Sequence, residues 1–342
     1  MLPKIPEQNK KPGVCYAVTD DGLELPVIDI THPAFALEVS EAEMSGLIDG
    51  MLVSIEQKTK APPAVMQALI QKSILLRGLE ESAGTFTTGM VTYLTKLGPG
   101  NLGEGYASPI DRQWAATLTP VSFRLRMQAV VRLVADGLAA SLEKRPGQPA
   151  HLLNIGGGPA ADSLDALILV RKEHPGLLEG RSISIHVLDL DAAGPHFGGR
   201  ALEALLAEGA PLHGLSISFE YIPYNWSDTA PLRSLLERIG PGHAVAASSE
   251  GGLFEYASDE DIAANLAALR TAAADDFVIC GPVIKDGETL EPRLKISEHV
   301  PGRPAVRYLG LAAFQRITAA AGWQVGTMID QPMYHIISLR KA

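Results

Sequence analysis

Cysteine is nearly absent: Cys15 and Cys280 are the two in a chain of 342 residues. Two thiols so far apart exclude a disulfide framework and a zinc centre built on paired cysteines, and both read as small residues in strands. Long apolar runs are missing as well. No stretch approaches the ~18 uninterrupted apolar residues of a membrane span, and "MLPKIPEQNKKPG" lacks the apolar core of a secretory signal. A soluble, cytoplasmic protein is the expectation. Positive charge is scarce and scattered, 29 Lys and Arg against 39 Asp and Glu for a net charge of -10. That balance argues against nucleic acid or an anionic membrane as partner. No HExxH and no tight Asp/Glu/His group occurs, so no metal is expected. No Gly-Lys-Ser/Thr follows a glycine run, which removes a nucleoside triphosphate as ligand.

What is present divides into two rhythms. Near the start, "GVCYAVTDDGLELPVIDI" reads as two extended runs turned at Asp20, Asp21 and Gly22, a hairpin that must pack on the chain or on a second subunit. "SEAEMSGLIDGMLVSIEQ" opens with Ser40 and Glu43 in capping-box spacing. "PPAVMQALIQKSILLRGL" reads as one helix started by Pro62 and Pro63. The stretch from Gly84 to Pro109 is a connector with a helical turn at Met90 to Leu97, and Ser122 to Leu142 is amphipathic and helical. From His151 onward, short β-rich runs alternate with helical ones, the mark of a doubly wound, mostly parallel sheet. The end departs from that rule. "GWQVGTMIDQPMYHIISLRKA" holds two extended runs with no helix between them, and such strands pair antiparallel.

The chemistry gathers around "HLLNIGGGPAADSLDALILV". Gly156, Gly158 and Ala161 fit G-x-G-x-x-G/A between a strand and a helix, where missing Cβ atoms let a ligand approach the backbone. The next β-run ends in Asp189, followed by Leu190 and Asp191; a carboxylate there can accept both hydroxyls of a ribose, while Asp191 can serve as a helix cap. To this point a dinucleotide enzyme fits equally well.

Two further features shift the balance: the antiparallel ending, and "SSEGGLFEY" after the fourth β-run. With "NIGGGPA", Asp189 and "NWSD", they make the chain from Gln113 to Ala342 similar to class I S-adenosylmethionine-dependent methyltransferases. The resemblance implies a Rossmann-like α/β domain over residues 113–342, and residues 1–112 as an N-terminal hairpin and helical cap that also serves oligomerisation. It implies S-adenosyl-L-methionine as cofactor. Gly156, Gly157 and Gly158 would line its methionine portion, and Asp189 with Leu190 its ribose. Asn225 and Trp226 would flank the adenine, with Ser248, Ser249, Glu250 and Gly251 under the sulfonium. One position departs: the family opens its glycine motif with an acid, and this chain has Asn154, for which Asp162 can compensate if the turn brings it close.

Methyl transfer is an in-line displacement, so alignment supplies much of the catalysis and a base is needed only where the acceptor must lose a proton. Glu250 and Glu255 are the candidates in the loop, and His299 on a late loop is a third. Tyr106, Asp111, Arg112, Trp114, Arg124 and Arg126 precede the sheet and suit a small zwitterion or acid. Arg124 and Arg126, two apart on a helix, cannot face the same side. A thioether such as that of methionine needs no base; the S-methylating branch of dimethylsulfoniopropionate synthesis is a family of that kind. A small-molecule substrate and a homo-oligomer, a dimer in the simplest case, complete the expectation. An NAD-dependent oxidoreductase and a catalytically silent cofactor-binding subunit stay open as alternatives.

Overall fold

The computed structural model describes residues 5–103, 106–240, 243–299 and 304–342, without the side chains at 58, 59, 244 and 296–299. The hairpin forms at the predicted turn. Strands β1 (Tyr16–Val18) and β2 (Glu24–Pro26) pair antiparallel with Tyr16 opposite Pro26, and Gly22 takes φ 90° between them. Such a small sheet needs a support. It lies on the helix Ala193–Leu206 of the same chain, where Arg200 Nη1 donates to Val18 O at 2.8 Å and His196 Nδ1 meets Asp20 at 2.9 Å.

Helices α1 (Glu41–Lys60), α2 (Pro63–Gln71), α3 (Ile74–Glu81), α4 (Gly89–Lys96), α5 (Pro109–Ala115) and α6 (Leu118–Glu143) follow. The capping box holds as read, with Glu43 N donating to Ser40 Oγ and Ser40 N to Glu43 Oε2. The single helix expected from Pro62 is broken at Lys72 and Ser73. Asp111 Oδ1 accepts from Ser73 Oγ at 2.5 Å and from Leu75 N at 3.0 Å, which fixes Ser73 as the cap of a new helix. A distant carboxylate overrides the local pattern.

The second half is the sheet. Strands β3 (Ala150–Ile155), β4 (Ser182–Asp189), β5 (Ser216–Pro223), β6 (Ala244–Ser248), β7 (Val278–Ile284), β8 (Trp323–Asp330) and β9 (Tyr334–Lys341) take the spatial order β5-β4-β3-β6-β7-β9-β8. Their intervening helices are α7 (Ala161–Glu173), α8 (Ala193–Leu206), α9 (Ala230–Ile239), α10 (Leu253–Tyr256), α11 (Asp259–Ala272) and α12 (Leu311–Ala320). Pairings from β5 to β7 are parallel, and β9 runs antiparallel between β7 and β8, as the missing crossover helix requires.

Helices α6, α7 and α8 cover one face of the sheet in a core that also takes Leu25, Ile28 and Tyr93 from the N-terminal segment. On the other face, α9, α11 and α12 pack through Leu236, Leu266 and Phe314. Chain order reverses between β3 and its two neighbours, β4 and β6. Loops leaving the carboxyl ends of β3 and β6 therefore diverge to opposite faces, and the gap between them is where open α/β sheets bind ligands. Among the described residues no helix is long and apolar enough to cross a membrane.

Candidate cofactor and acceptor site

A cleft of about 490 Å³ opens at that reversal point, within the usual size of a small-molecule site. Its floor is the turn after β3. Gly156 at φ 63° and Gly158 at φ 53° hold backbone conformations that side chains resist. Gly156 and Gly157 line the cleft. A Cβ on Gly156 would stand 3.3 Å from both Gly252 Cα and the Trp226 ring, so a side chain there would crowd the walls of the cleft.

Gly158 has another task than the one expected of it. A Cβ on Gly89 would lie 2.6 Å from Gly158 Cα, and one on Gly194 would lie 2.7 Å from the same atom. Gly158 is thus the point where α4 and α8 clamp the glycine turn, and it does not line the cleft. Its amide donates to Asp189 Oδ2 at 2.8 Å, while Asp191 N donates to Asp189 Oδ1 at 2.9 Å. These bonds orient the Asp189 carboxylate and leave each oxygen a further lone pair. Burial nonetheless keeps its pKa above the usual carboxylate range, the backbone bonds opposing that rise. Asp191 also lines the cleft and accepts from Ala193 N at 3.2 Å, close to the capping role read for it.

An apolar shelf adjoins the acid. Leu190, 61% exposed, and Trp226 line the same cleft, with Phe86 edge-on to Trp226 at 5.8 Å and to Tyr256 at 6.0 Å. The turn carrying Asn225 and Trp226 is fixed from below: Asn265 Nδ2 donates to Trp226 O at 2.8 Å, and Asn225 Oδ1 accepts from Ser227 N at 3.1 Å.

Asn154 lies beneath the floor, fully buried. Its Nδ2 donates to Asp162 Oδ1 at 2.6 Å, Ser163 Oγ at 3.1 Å and Ser248 Oγ at 3.2 Å. Asp162 does come close, and burial raises its pKa against the pull of Ser248 and Asn154. Neither residue lines the cleft, nor do Ser248 and Ser249; the Ser249 hydroxyl donates to Ile155 O at 2.7 Å and accepts from Leu253 N at 2.8 Å.

Glu250 does line the cleft. Lys96 Nζ bonds its Oε2, and Arg126 Nε its Oε1 at 2.6 Å; Arg126 Nη1 reaches Glu255 Oε1 at 2.8 Å. All four side chains are buried. Burial opposes the charge on Glu250, but Arg126 and Lys96 outweigh it and hold the carboxyl below its ordinary range. Glu255, behind Arg126 and outside the cleft lining, is pushed up by burial. As a proton acceptor Glu250 is therefore weak.

The residues expected to hold the acceptor are elsewhere. Asp111 is buried in the caps of α3 and α5. Tyr106 donates to Asn101 O at 3.0 Å, Arg112 faces the carbonyls of Leu102 and Ala107, and Trp114 packs into the core. Arg124 donates to Phe35 O at 3.2 Å on the opposite side of α6 from Arg126, as their spacing requires. None of these five lines the cleft; Arg124 is held by Phe35, and of the expected set Arg126 alone reaches it, through Glu250. The His299 side chain lies outside the described residues.

Phe86, Thr87, Thr88, Gly89, Thr92 and Lys96 form the roof of the cleft, in the stretch whose composition predicts a connector. The available signal was Lys96, a single charge inside the helical run "MVTYLTKL".

No family model matches this chain, and no curated protein does. Solved structures do. A Bordetella parapertussis chain called a "possible exported protein" matches 89% of this chain and 99% of its own at 16% identity and a TM-score of 0.52. The magnesium protoporphyrin IX methyltransferase of Synechocystis PCC 6803, with bound S-adenosylhomocysteine, matches 70% of this chain and 90% of its own at 14% identity and 0.45. An O-methyltransferase family protein of Burkholderia thailandensis matches 65% and 57% at 16% identity and 0.42. At these identities the Bordetella likeness is one of fold.

Proposed function

We propose that the chain is an S-adenosylmethionine-dependent methyltransferase acting on a small molecule. The observation that carries this reading is the Asp189 end of the cleft. A carboxylate oriented by Gly158 and Asp191 amides, with spare lone pairs, stands beside the exposed Leu190 and the Trp226 ring. That combination fits a ribose and an adenine, and the bare Gly156–Gly157 floor leaves room for an aliphatic tail. The bound cofactor supplies a methyl group on a positively charged sulfur. The protein's own share is to align the acceptor and exclude water under the roof of residues 86–96. In this reading residues 113–342 bind the cofactor and residues 1–112 form the cap.

Glu250 is tied up by two cations, which supports an acceptor that needs no proton removed. A thioether of the methionine type is such an acceptor. The reading also carries a cytoplasmic location and a homo-oligomer.

Calorimetric titration with S-adenosylmethionine, S-adenosylhomocysteine and NAD tests the binding class; the first two should bind and NAD should not. Incubation with methyl-labelled donor and pooled small metabolites should then move label to a small product. NAD binding without S-adenosylmethionine binding replaces this reading by a dehydrogenase, and binding without transfer leaves a silent subunit.

A further inference from the structure

Lys96 is the one cationic side chain among the described residues lining the cleft, and it is paired there with Glu250. Asp189 and Asp191 stand at the end of β4, on the other side of β3 from the β6 loop that carries Glu250. The cleft therefore has a neutral, zwitterionic end and an acidic end.

The zwitterionic end is rigid. Arg126 holds Glu250 Oε1, is itself held by Glu255, and lies over the rings of Phe123 at 4.5 Å and Tyr334 at 5.0 Å. Lys96 spends one of its three N–H donors on Glu250 and Glu250 retains lone pairs on both oxygens. A buried ion pair of this kind adds little to folding compared with apolar residues of the same volume. On a cavity wall it offers two opposite, preoriented charges to whatever enters. At the position where the resemblance calls for an acid, Asn154 is turned inward: its Nδ2 is engaged by Asp162, Ser163 and Ser248, and its buried Oδ1 lies against Gly157, off the cleft lining.

We propose that the Lys96–Glu250 pair binds an α-amino-acid head group, with the ligand carboxylate on Lys96 Nζ and the ligand ammonium on Glu250. The two charged pairs then close an alternating ring of four. Arg126 is a positioning residue that keeps Glu250 aimed. Such a head has two sources: the tail of the methyl donor, which rests on the methyltransferase reading, or a free amino acid serving as acceptor.

The full chain and its variants Lys96→Met and Glu250→Gln are titrated with S-adenosylhomocysteine and with 5′-methylthioadenosine, which lacks the amino-acid head. If the head is the donor's, each variant weakens S-adenosylhomocysteine by about 10- to 100-fold, as loss of a charged hydrogen bond implies, and leaves 5′-methylthioadenosine within about threefold. Unchanged binding of the headless nucleoside also shows that the variant is folded. If the head is the acceptor's, S-adenosylhomocysteine is unaffected. Binding of glycine or L-methionine to the S-adenosylhomocysteine-saturated protein is then lost in both variants. Equal weakening of both nucleosides, or no change for any ligand, overturns the proposal. Failure of both nucleosides on the unmodified chain strikes the methyltransferase reading instead. In that case L-methionine alone decides: binding that Lys96→Met abolishes upholds the head-group site, and no binding overturns it.

Discussion

At one end of the cleft, Asp189 is held by the amide of Gly158, 31 residues away, and by that of Asp191, two residues on. At the other, Glu250 is held by Arg126 and Lys96, which are 124 and 154 residues distant. The first end is made from two consecutive βα turns and uses backbone donors that any sequence supplies. The second is made from side chains on three segments and exists only when α4 and α6 are packed against the loop after β6. One end is a property of the fold; the other is a property of this chain.

Breaking the second end should have the larger effect. Arg126→Met leaves Glu250 and Glu255 buried with half their compensation gone, and should cost about 3–5 kcal/mol in urea unfolding. A loss near zero would show that water reaches those carboxylates and that the network is ornamental. Asp189→Ala should act on binding instead. It removes hydrogen bonds to a charged acceptor, about 1.5–3 kcal/mol of cofactor affinity, with unfolding disturbed less than by Arg126→Met. An unchanged dissociation constant would mean that Asp189 only fastens the glycine turn. Asn154→Asp sharpens the contrast most finely. It restores the acid common in the resembled family, yet it replaces a donor to three oxygens by a carboxylate facing Asp162. Stability should fall by about 1–2 kcal/mol with no gain in cofactor affinity. Tighter binding in calorimetry would instead show that position 154 reaches the ligand.

The same contrast explains what could be read from the residues alone. The order of strands and helices, the antiparallel ending, the Asp-Gly hairpin and the Ser40 box rest on spacing within a few residues, and they were legible. Asp189, Trp226, Gly156 and Gly157, which belong to turns directly after strands, do line the cleft. The break at Ser73 was not legible, because its cause is Asp111. Lys96 sits inside an apolar helical run and its partner Glu250 is 154 residues away, so no local pattern marks it. The side chains of α5 and of Arg124 are held away from the cleft, Arg126 enters it only through Glu250, and the segment ahead of them covers it. Gly158 matched the motif for a ligand-binding glycine and proved to be a packing glycine, since the partners that crowd it, Gly89 and Gly194, are invisible to a local pattern.

Those three glycines carry a consequence for how this protein can vary. Gly89, Gly158 and Gly194 meet backbone to backbone, with 2.6 and 2.7 Å left where a methyl group would have to fit. None of the three can accept a larger residue while the other two stay in place. Change at Gly89 requires moving α4 off the glycine turn, and change at Gly194 requires moving α8. Lys96 ends the first of these helices, so a shift of α4 would also displace the Lys96–Glu250 pair. The space at the glycine seam, not side-chain chemistry, limits what these three positions can hold.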